Sequence, residues 1–392
     1  MSSSKSDEEN AKKIAEYIQK HPECKKNQTE SVILEGSNED LPVYRLPLDI
    51  TFYNIKNGRF KMEYLALVKK EGRELDSRDP KDAKKIQNLL VDLDPKESNN
   101  LRDDIQQYGQ RKPGISTYDG FVINGNRRRA ILSSLNDSGL SGFNYTDVCR
   151  LPSGVSDADL WLIEAGIQLS KNVQLDYGPI NTLLKFKEGV DAGLTVIQIA
   201  KNLYGGDEKK IQEKLEILRL IELYLDWLGE PEQYKNVERV HEHFLDLKSI
   251  LDKAKKDGYD DDVQAALQII GFQLIHDGVA QRELRKIKKM IAHDSIRKKL
   301  LTAEKYSMPE PKGEKRAKLE KAGEDGFTKS VSIFWQCDDE LKATEESEQP
   351  IKLLNRALTN LENIDPTNPS LNDRDAIQSL AKIVKIMEKL AK

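Results

Sequence analysis

The chain has 392 residues, of which 33% are charged and 38% are hydrophobic, and its formal net charge at pH 7 is −4. Its 23 glycines, 14 prolines and 3 cysteines exclude collagen-like and disulfide-rich proteins, and its hydrophobic content excludes a wholly disordered chain. Because the chain as a whole is not basic, a nucleic-acid-binding surface would have to be a local patch.

The N-terminal segment lacks the apolar region of a secretory signal, and no apolar run approaches the roughly 18 residues of a membrane span. The three cysteines, Cys24, Cys149 and Cys337, are far apart and form no zinc motif. We therefore expect a cytoplasmic protein with reduced structural thiols, no metal site and no membrane partner.

Residues 1–40 form a polar segment that predicts one helix near 9–20 and one short strand. From residue 41 the pattern changes, because apolar and polar residues alternate as in a half-buried strand. Asp79-Pro80 is a start signal for a helix. A later helix is predicted to begin after a cap at Ser98 or Asn99.

That helix is predicted to end at Gly109. Two short strands then flank the turn at 118–120, which predicts a hairpin. A glycine turn, a helix and one more strand complete this part, and beyond Pro152 only helical patterns remain. The expected fold class is α+β, with a small mixed domain followed by an all-α helix-turn-helix region and C-terminal helices.

These patterns divide the chain into six predicted regions. They are an N-terminal extension (1–40), a mixed domain (41–152), a helical helix-turn-helix domain (153–232), a helical region with a basic helix (233–301), a charged linker (302–330) and a C-terminal helical region (331–392).

The glycine turn at Gly125 is the most informative segment, because a strand enters it and a helix leaves it with three arginines, Arg127, Arg128 and Arg129. Positive charge is unfavourable at a helix N-terminus. It is favourable when an anion occupies the free N–H groups of the first turn. A phosphate site and a solvated run of charge both fit this local chemistry.

Residues 194–220 have the size and apolar pattern of a helix-turn-helix, with a small Ala200 where the two helices would cross. The second helix offers four side chains that could reach DNA phosphates or bases: Lys209, Lys210, Gln212 and Lys214. Acidic residues nearby dilute this charge, so a purely structural helical pair stays open as an alternative.

Residues 281–300 form the densest basic stretch and predict a second DNA-contacting helix, with Arg285, Lys288 and Lys289 as candidate contacts. A solvated face of a packed helix is the alternative. The last helix, 376–392, repeats apolar residues at coiled-coil spacing. It could pair with a second copy in a homodimer, but the favoured interpretation is that it packs against residues 350–364 of the same chain.

The order of these motifs resembles the N-terminal domain of the ParB/sulfiredoxin-like superfamily. That family has a strand with an N-x-R turn, a helix ending in glycine, a G-x-x-x-P turn, a hairpin and a G-[E/N]-R-R helix start. The match covers about residues 42–150, and this sequence supplies, in order, Asn57-Gly58-Arg59, Gly109, Pro113 and Gly125-Asn126-Arg127-Arg128.

ParB-type proteins continue with an E-N-x-Q-R-x-x-L-x-P segment and a helix-turn-helix. Here residues 170–179 take that place, with Asn172 in agreement but Lys171 and Leu175 in place of the family's Glu and Arg. In the family these residues help to hold magnesium–CTP, so their replacement favours binding over hydrolysis. Asn126 occupies the position of sulfiredoxin's catalytic cysteine, so that chemistry is not expected.

The resemblance thus implies CTP or another nucleoside triphosphate with Mg²⁺ as cofactor, bound by Gly125, Asn126, Arg127, Arg128 and Asn172. Arg129 lies one residue beyond the motif and is expected to matter less. Three functions stay open: a ParB-like DNA-associated protein, a nucleotide-dependent enzyme (triphosphatase, kinase or nuclease) on the same fold, and a protein adaptor in a DNA-modification or phage-defence system.

Overall fold

A computed structural model describes residues 5–34, 37–168, 178–203, 206–307 and 328–391. Its six strands all precede residue 151 and are β1 (Lys25–Leu34), β2 (Ser37–Pro47), β3 (Phe52–Tyr53), β4 (Gly114–Ser116), β5 (Phe121–Asn124) and β6 (Tyr145–Arg150). The helices of this part are α1 (Lys5–Lys20), α2 (Lys61–Glu71), α3 (Pro80–Asp92), α4 (Pro95–Tyr108) and α5 (Asn126–Asp137).

Within the described ranges, every longer element after β6 is helical. These helices are α6 (Asp157–Gln168), α7 (Pro179–Asp191), α8 (Val196–Leu203), α9 (Glu208–Trp227), α10 (His241–Lys256), α11 (Asp261–His276), α12 (Gln281–Leu284), α13 (Ile287–Met290), α14 (Asp294–Leu301), α15 (Lys329–Glu362) and α16 (Arg374–Leu390). The expected α+β class, with strands only in the first part, is confirmed at this level.

The strands form one mixed sheet in the order β1-β2-β6-β4-β5-β3. The β1–β2, β2–β6 and β4–β5 pairs are antiparallel, whereas β4–β6 and β3–β5 are parallel. The predicted hairpin of β4 and β5 lies near one edge, beside β3. This arrangement places the ends of β3 and β5, and the turns that follow them, next to each other.

The N-terminal hairpin is longer than the sequence predicts. Only a short strand is expected before residue 41, but β1 and β2 pair from Leu34↔Ser37 back to Lys25↔Tyr44. Residues 25–34 and 37–40, assigned above to the extension, therefore belong to the sheet. β1 buries only Val32 and Leu34, both near its end, so the rest of the strand lacks the apolar alternation that would have predicted it.

Aspartate–proline pairs start two helices. Asp79 caps α3 by accepting hydrogen bonds from the N–H groups of Lys81 and Asp82. The predicted cap at Ser98 or Asn99 is wrong, because α4 begins one turn earlier with Asp94 as cap and a proline at the first position. The helix ends at Gly109, as predicted, with a φ of 71°.

Helix α5 packs one whole side into the mixed domain, with Ala130, Ile131, Leu132 and Leu135 buried. These contacts fix the helix whose first turn carries the arginines. The later helices enclose a separate, larger core, which Met62 of α2 also enters. The two parts of the chain are therefore joined by packing around α2 as well as by the chain connection.

The three cysteines are buried and free, in agreement with the expected structural thiols. No helix in the described ranges combines the length and the hydrophobicity that crossing a bilayer requires.

Candidate functional site

The glycine turn has the local geometry that the sequence predicts. Gly125 lies between β5 and α5 with φ 100° and ψ 12°, in the left-handed region. A side chain at this position would also place its Cβ 3.1 Å from the Cα of Gly114 in β4. Glycine is therefore required here by backbone conformation and by the close approach of a neighbouring strand.

A cavity of about 150 Å³ lies at this turn, and its wall brings together residues far apart in the sequence. Its lining residues are Asn57, Arg59, Phe60, Leu90, Leu93, Leu101, Asn124, Gly125, Asn126, Arg127 and Arg128. Three are arginines and none is acidic. Two turns that the sequence predicts separately, the N-x-R turn and the glycine–arginine turn, thus line one cavity. The leucines in the wall of this cavity carry no sequence motif that would have identified them.

Two buried asparagines hold the two turns together. Asn57 donates from Nδ2 to the carbonyl of Ile123, 3.0 Å away, and accepts from the N–H of Arg59. Asn126 donates from Nδ2 to the carbonyl of Val122 and accepts from the N–H of Asn54 at 3.2 Å. The amide of Asn126, expected to bind the ligand, is thus occupied with backbone groups, and its role in the structure is to position the cavity wall.

Arg127 is the arginine of the motif that the fold leaves available. Its side chain is half-buried, and its Nε atom is buried without a hydrogen-bond partner in the described structure. Arg127 makes no ion pair with any described residue. A buried guanidinium nitrogen without an acceptor is costly, so this group is suited to receive an anion.

Arg128 lines the cavity but also supports its rim. Its guanidinium donates to the carbonyls of Lys112 and Pro113, the latter at 2.8 Å, and to Oδ1 of Asn124 at 3.2 Å. Burial lowers the pKa of Arg128; the negative charge of Glu30 opposes this shift, and the positive charge of Arg59 adds to it. Crowded cations of this kind are stabilised when an anion binds between them.

Arg129 has a different role from the minor one that its position beyond the motif suggests. It is only 5% exposed and donates to Oγ1 of Thr51, to the Thr51 carbonyl and to the Leu48 carbonyl at 2.9 Å. Its guanidinium also lies 4.1 Å from the ring centre of Tyr53. Arg129 is therefore a structural residue that fastens α5 to the segment before β3.

The helical part of the chain supports the N-x-R turn from behind. Glu164 accepts a hydrogen bond from the N–H of Gly58 at 3.2 Å, and its other oxygen binds the fully buried Lys185 at 2.8 Å. Asn181 donates to the carbonyl of Arg59. Glu164 is thus committed to these contacts. Asn172 lies outside the described residues.

Helices α8 and α9 pack against each other as the predicted helix-turn-helix requires. Ile199, Ala200 and Ile211 are buried in one core with parts of α6 and α7, and the small Ala200 is fully buried there. The turn residues 204 and 205 lie outside the described ranges. Asp207 caps α9 by accepting from the N–H of Lys210.

The candidate DNA contacts of α9 differ in exposure. Lys209, Lys210 and Gln212 are exposed at the start of the helix, and Lys210 forms an ion pair with Asp207 at 3.1 Å. Lys214 is half-buried, and burial lowers its pKa. The first three side chains therefore present a compact polar surface, whereas Lys214 is turned partly into the protein.

The single basic helix predicted at 281–300 is wrong, because the segment folds into the three short helices α12, α13 and α14. Its cations are held by neighbours: Arg285 pairs with Asp246 at 2.8 Å and Lys289 with Glu345 at 2.9 Å. Lys288 donates to Oγ of Ser249. This segment packs into the helical core, where Leu284, Ile287, Met290 and Ile291 are all fully buried.

A larger cavity of about 650 Å³ lies between α1, the hairpin turn and the segment after β6. Its charged lining consists of Asp7, Glu8, Lys12 and Asp119, so it has none of the arginine clustering found at the glycine turn. In the described ranges, no group of three or more His, Cys, Asp or Glu side chains is placed to hold a metal ion. The chain matches no protein-family model and no curated protein sequence.

Proposed function

We propose that the chain is a ParB-like DNA-associated protein that binds a phosphate group of a nucleotide in the cavity at the glycine–arginine turn. The observation that carries this proposal is the cavity lining, in which three arginines and no acidic residue surround about 150 Å³. Guanidinium groups are the preferred donors for phosphate oxygens, and the first turn of α5 adds free N–H groups.

The size of the cavity favours a phosphate group over a whole nucleotide, since small-molecule sites usually enclose about 300–1,000 Å³. The base and sugar of a nucleotide would extend beyond it. The described lining supplies donors for phosphates and no carboxylate for magnesium. It also contains no histidine, cysteine or carboxylate that could act as a general acid or base, so we propose binding without a hydrolytic role.

The proposed DNA contact is at the start of α9, where Lys209, Lys210 and Gln212 are exposed on the second helix of a helix-turn-helix-like pair. The stretch at 281–300 supports DNA binding less well, because Arg285 and Lys289 are neutralised by carboxylates of the same chain. That internal pairing is the observation that favours a protein adaptor as the second candidate function.

A thermal-shift panel tests the anion site. Wild type is heated with CTP, ATP, GTP, UTP or inorganic triphosphate, each with and without magnesium. A ligand at 100 times its Kd stabilises a fold by about 2.7 kcal/mol, so a clear rise in Tm is expected for at least one of them. If no compound raises the Tm at millimolar concentration, the phosphate site is refuted.

Fluorescence anisotropy with labelled duplex DNA separates DNA association from an adaptor role. We expect binding that weakens as salt increases, and weaker binding after Lys209→Glu with Lys210→Glu. The control is Lys235→Glu with Lys255→Glu, which makes the same charge change at exposed positions outside α9. Wild type that fails to bind duplex DNA at low salt would favour the adaptor.

A further inference from the structure

The turn that carries Arg59 into the cavity is held by a distant helix as well as by its own neighbours. Residues Gly58–Phe60 form one turn of 3₁₀ helix, and Arg59 lines the cavity. Within the turn, Oδ1 of Asn57 accepts a hydrogen bond from the N–H of Arg59 at 3.0 Å. The carbonyl of Arg59 is bound from α7, because Nδ2 of Asn181 donates to it at 3.2 Å across 122 positions of the sequence.

Asn181 uses its whole amide group on this region. Its Oδ1 accepts from the N–H of Met62 in the first turn of α2 at 2.9 Å, and its Nδ2 also donates to Oε2 of Glu63 at 3.2 Å. The start of α2 lacks a cap from its own sequence, because the residue at the N-cap position is Phe60. Asn181 supplies the missing acceptor and is only 3% exposed, so these hydrogen bonds are shielded from water.

A second group of the helical part holds the residue before Arg59. Oε1 of Glu164 accepts from the N–H of Gly58, and Glu164 is in turn bound by the fully buried ammonium group of Lys185. Lys185 lies four residues after Asn181, so both side chains leave α7 on the same face. Two contacts from the helical part therefore restrain the backbone on either side of the Arg59 N–H group.

The other two arginines of the cavity are held independently of Asn181. Arg127 and Arg128 lie in the first turn of α5, whose buried side chains fix that helix in the mixed domain. Arg128 is also tied to carbonyls of the loop after α4. The hydrogen bonds of the Asn181 side chain in the described structure all go to residues 59–63. Loss of its amide should therefore displace one guanidinium group and leave two in place.

We propose that Asn181 is a positioning residue of the phosphate site, which acts through the backbone of Arg59 and makes the affinity of the site depend on the contact of α7 with the N-x-R turn. This inference rests on the proposed phosphate function. A guanidinium group binds phosphate strongly when its planar fork is aligned with the phosphate oxygens. Asn181 is not part of the cavity lining, so its effect on binding must pass through the turn.

A double-mutant cycle on the full chain tests this role, with the Kd for inorganic triphosphate and for CTP measured by isothermal titration at one ionic strength. Arg59→Ala should raise the Kd about 10- to 100-fold, the effect of one charge-assisted contact. Asn181→Ala should raise it about 10-fold, within the range for members of one hydrogen-bond network. In the Arg59→Ala background, Asn181→Ala should change the Kd no further. In the Arg127→Ala background, its effect should remain undiminished.

Urea unfolding accompanies each titration, because Asn181→Ala leaves the carbonyl of Arg59 and the N–H of Met62 unpaired. The matched control is Leu274→Ala, since Leu274 is fully buried in the core of the helical part. This variant should lose stability without losing a hydrogen bond of the turn, and should bind like wild type. If Asn181→Ala does not fold, Asn181→Asp takes its place in the cycle, because it keeps the acceptor for Met62.

The possible failures can be told apart. Wild type that binds neither inorganic triphosphate nor CTP would overturn the positioning role together with a phosphate site for these compounds. If wild type binds and the Asn181 variant binds equally well, the positioning role alone is overturned. The same holds if the effect of the Asn181 variant persists in the Arg59→Ala background, since a charge effect or a general loss of stability would then be the cause. An equal loss of binding in Leu274→Ala would also overturn it.

Discussion

Replacing Arg127 with alanine is the sharpest test of the phosphate site, because the fold does not use this side chain. Arg127 lines the cavity, and its Nε is buried without a partner in the described structure. A hydrogen bond to a charged group contributes about 1.5–3 kcal/mol. At about 1.4 kcal/mol per factor of ten, Arg127→Ala should weaken phosphate or nucleotide binding about 10- to 100-fold.

The same substitution should leave the stability of the unliganded protein unchanged or slightly increased. No hydrogen bond within the described structure is lost, and removing one of three clustered cations relieves repulsion. Isothermal titration with the compound that gives the largest thermal shift measures the Kd, and urea unfolding measures the free energy of unfolding. Both are done at one fixed ionic strength, since salt screens the contact.

The two neighbouring arginines are the matched controls. Arg129→Ala should leave several buried acceptors unpaired, at about 1–3 kcal/mol each, and so destabilise the unliganded fold. Arg128→Ala should affect both binding and stability, because its guanidinium holds the carbonyls of Lys112 and Pro113. The reasoning is refuted if Arg127→Ala binds like wild type, or if it unfolds without ligand.

Three further predictions concern stability. Lys185→Met should lower the free energy of unfolding, measured in urea, by about 3–5 kcal/mol, because it leaves the buried carboxylate of Glu164 uncompensated. Adding Glu164→Gln should recover part of that loss. If it recovers none, lost packing is the cause. A hydrogen bond from Arg73 lowers the pKa of Asp82 to about 2. The resulting stabilisation is fully present above the pKa of Asp82 in the unfolded chain, about 4, and should disappear in wild type as the pH falls from about 4 through 2. Arg73→Ala should make the unfolding midpoint depend less on pH over this range. Gly189→Ala would place a Cβ 2.7 Å from a tryptophan ring, and the overpacking should cost about 1–3 kcal/mol despite the better helix propensity of alanine; a stabilised variant would contradict that contact.

Features that depend on a few adjacent residues are determined by the sequence. The turn at Gly125 follows from a glycine, which tolerates positive φ, placed between a strand and a helix. The start of α3 follows from an aspartate–proline pair, and the end of α4 follows from a glycine. The change from mixed to helical structure after Pro152 follows from hydrophobic periodicity. Each of these is a property of local backbone preference.

Features that depend on which distant groups meet were decided only by the tertiary structure. The three arginines of the glycine turn are adjacent in the sequence, yet the packing of the sheet and helices leaves the Nε of Arg127 without a partner in the described structure, ties Arg128 to a neighbouring loop and buries Arg129. The basic stretch at 281–300 is likewise neutralised by acidic residues from other helices, such as Asp246. Whether a charged side chain is free to bind a ligand depends on its desolvation and on the partners that the fold brings near it, and the adjacent sequence determines neither.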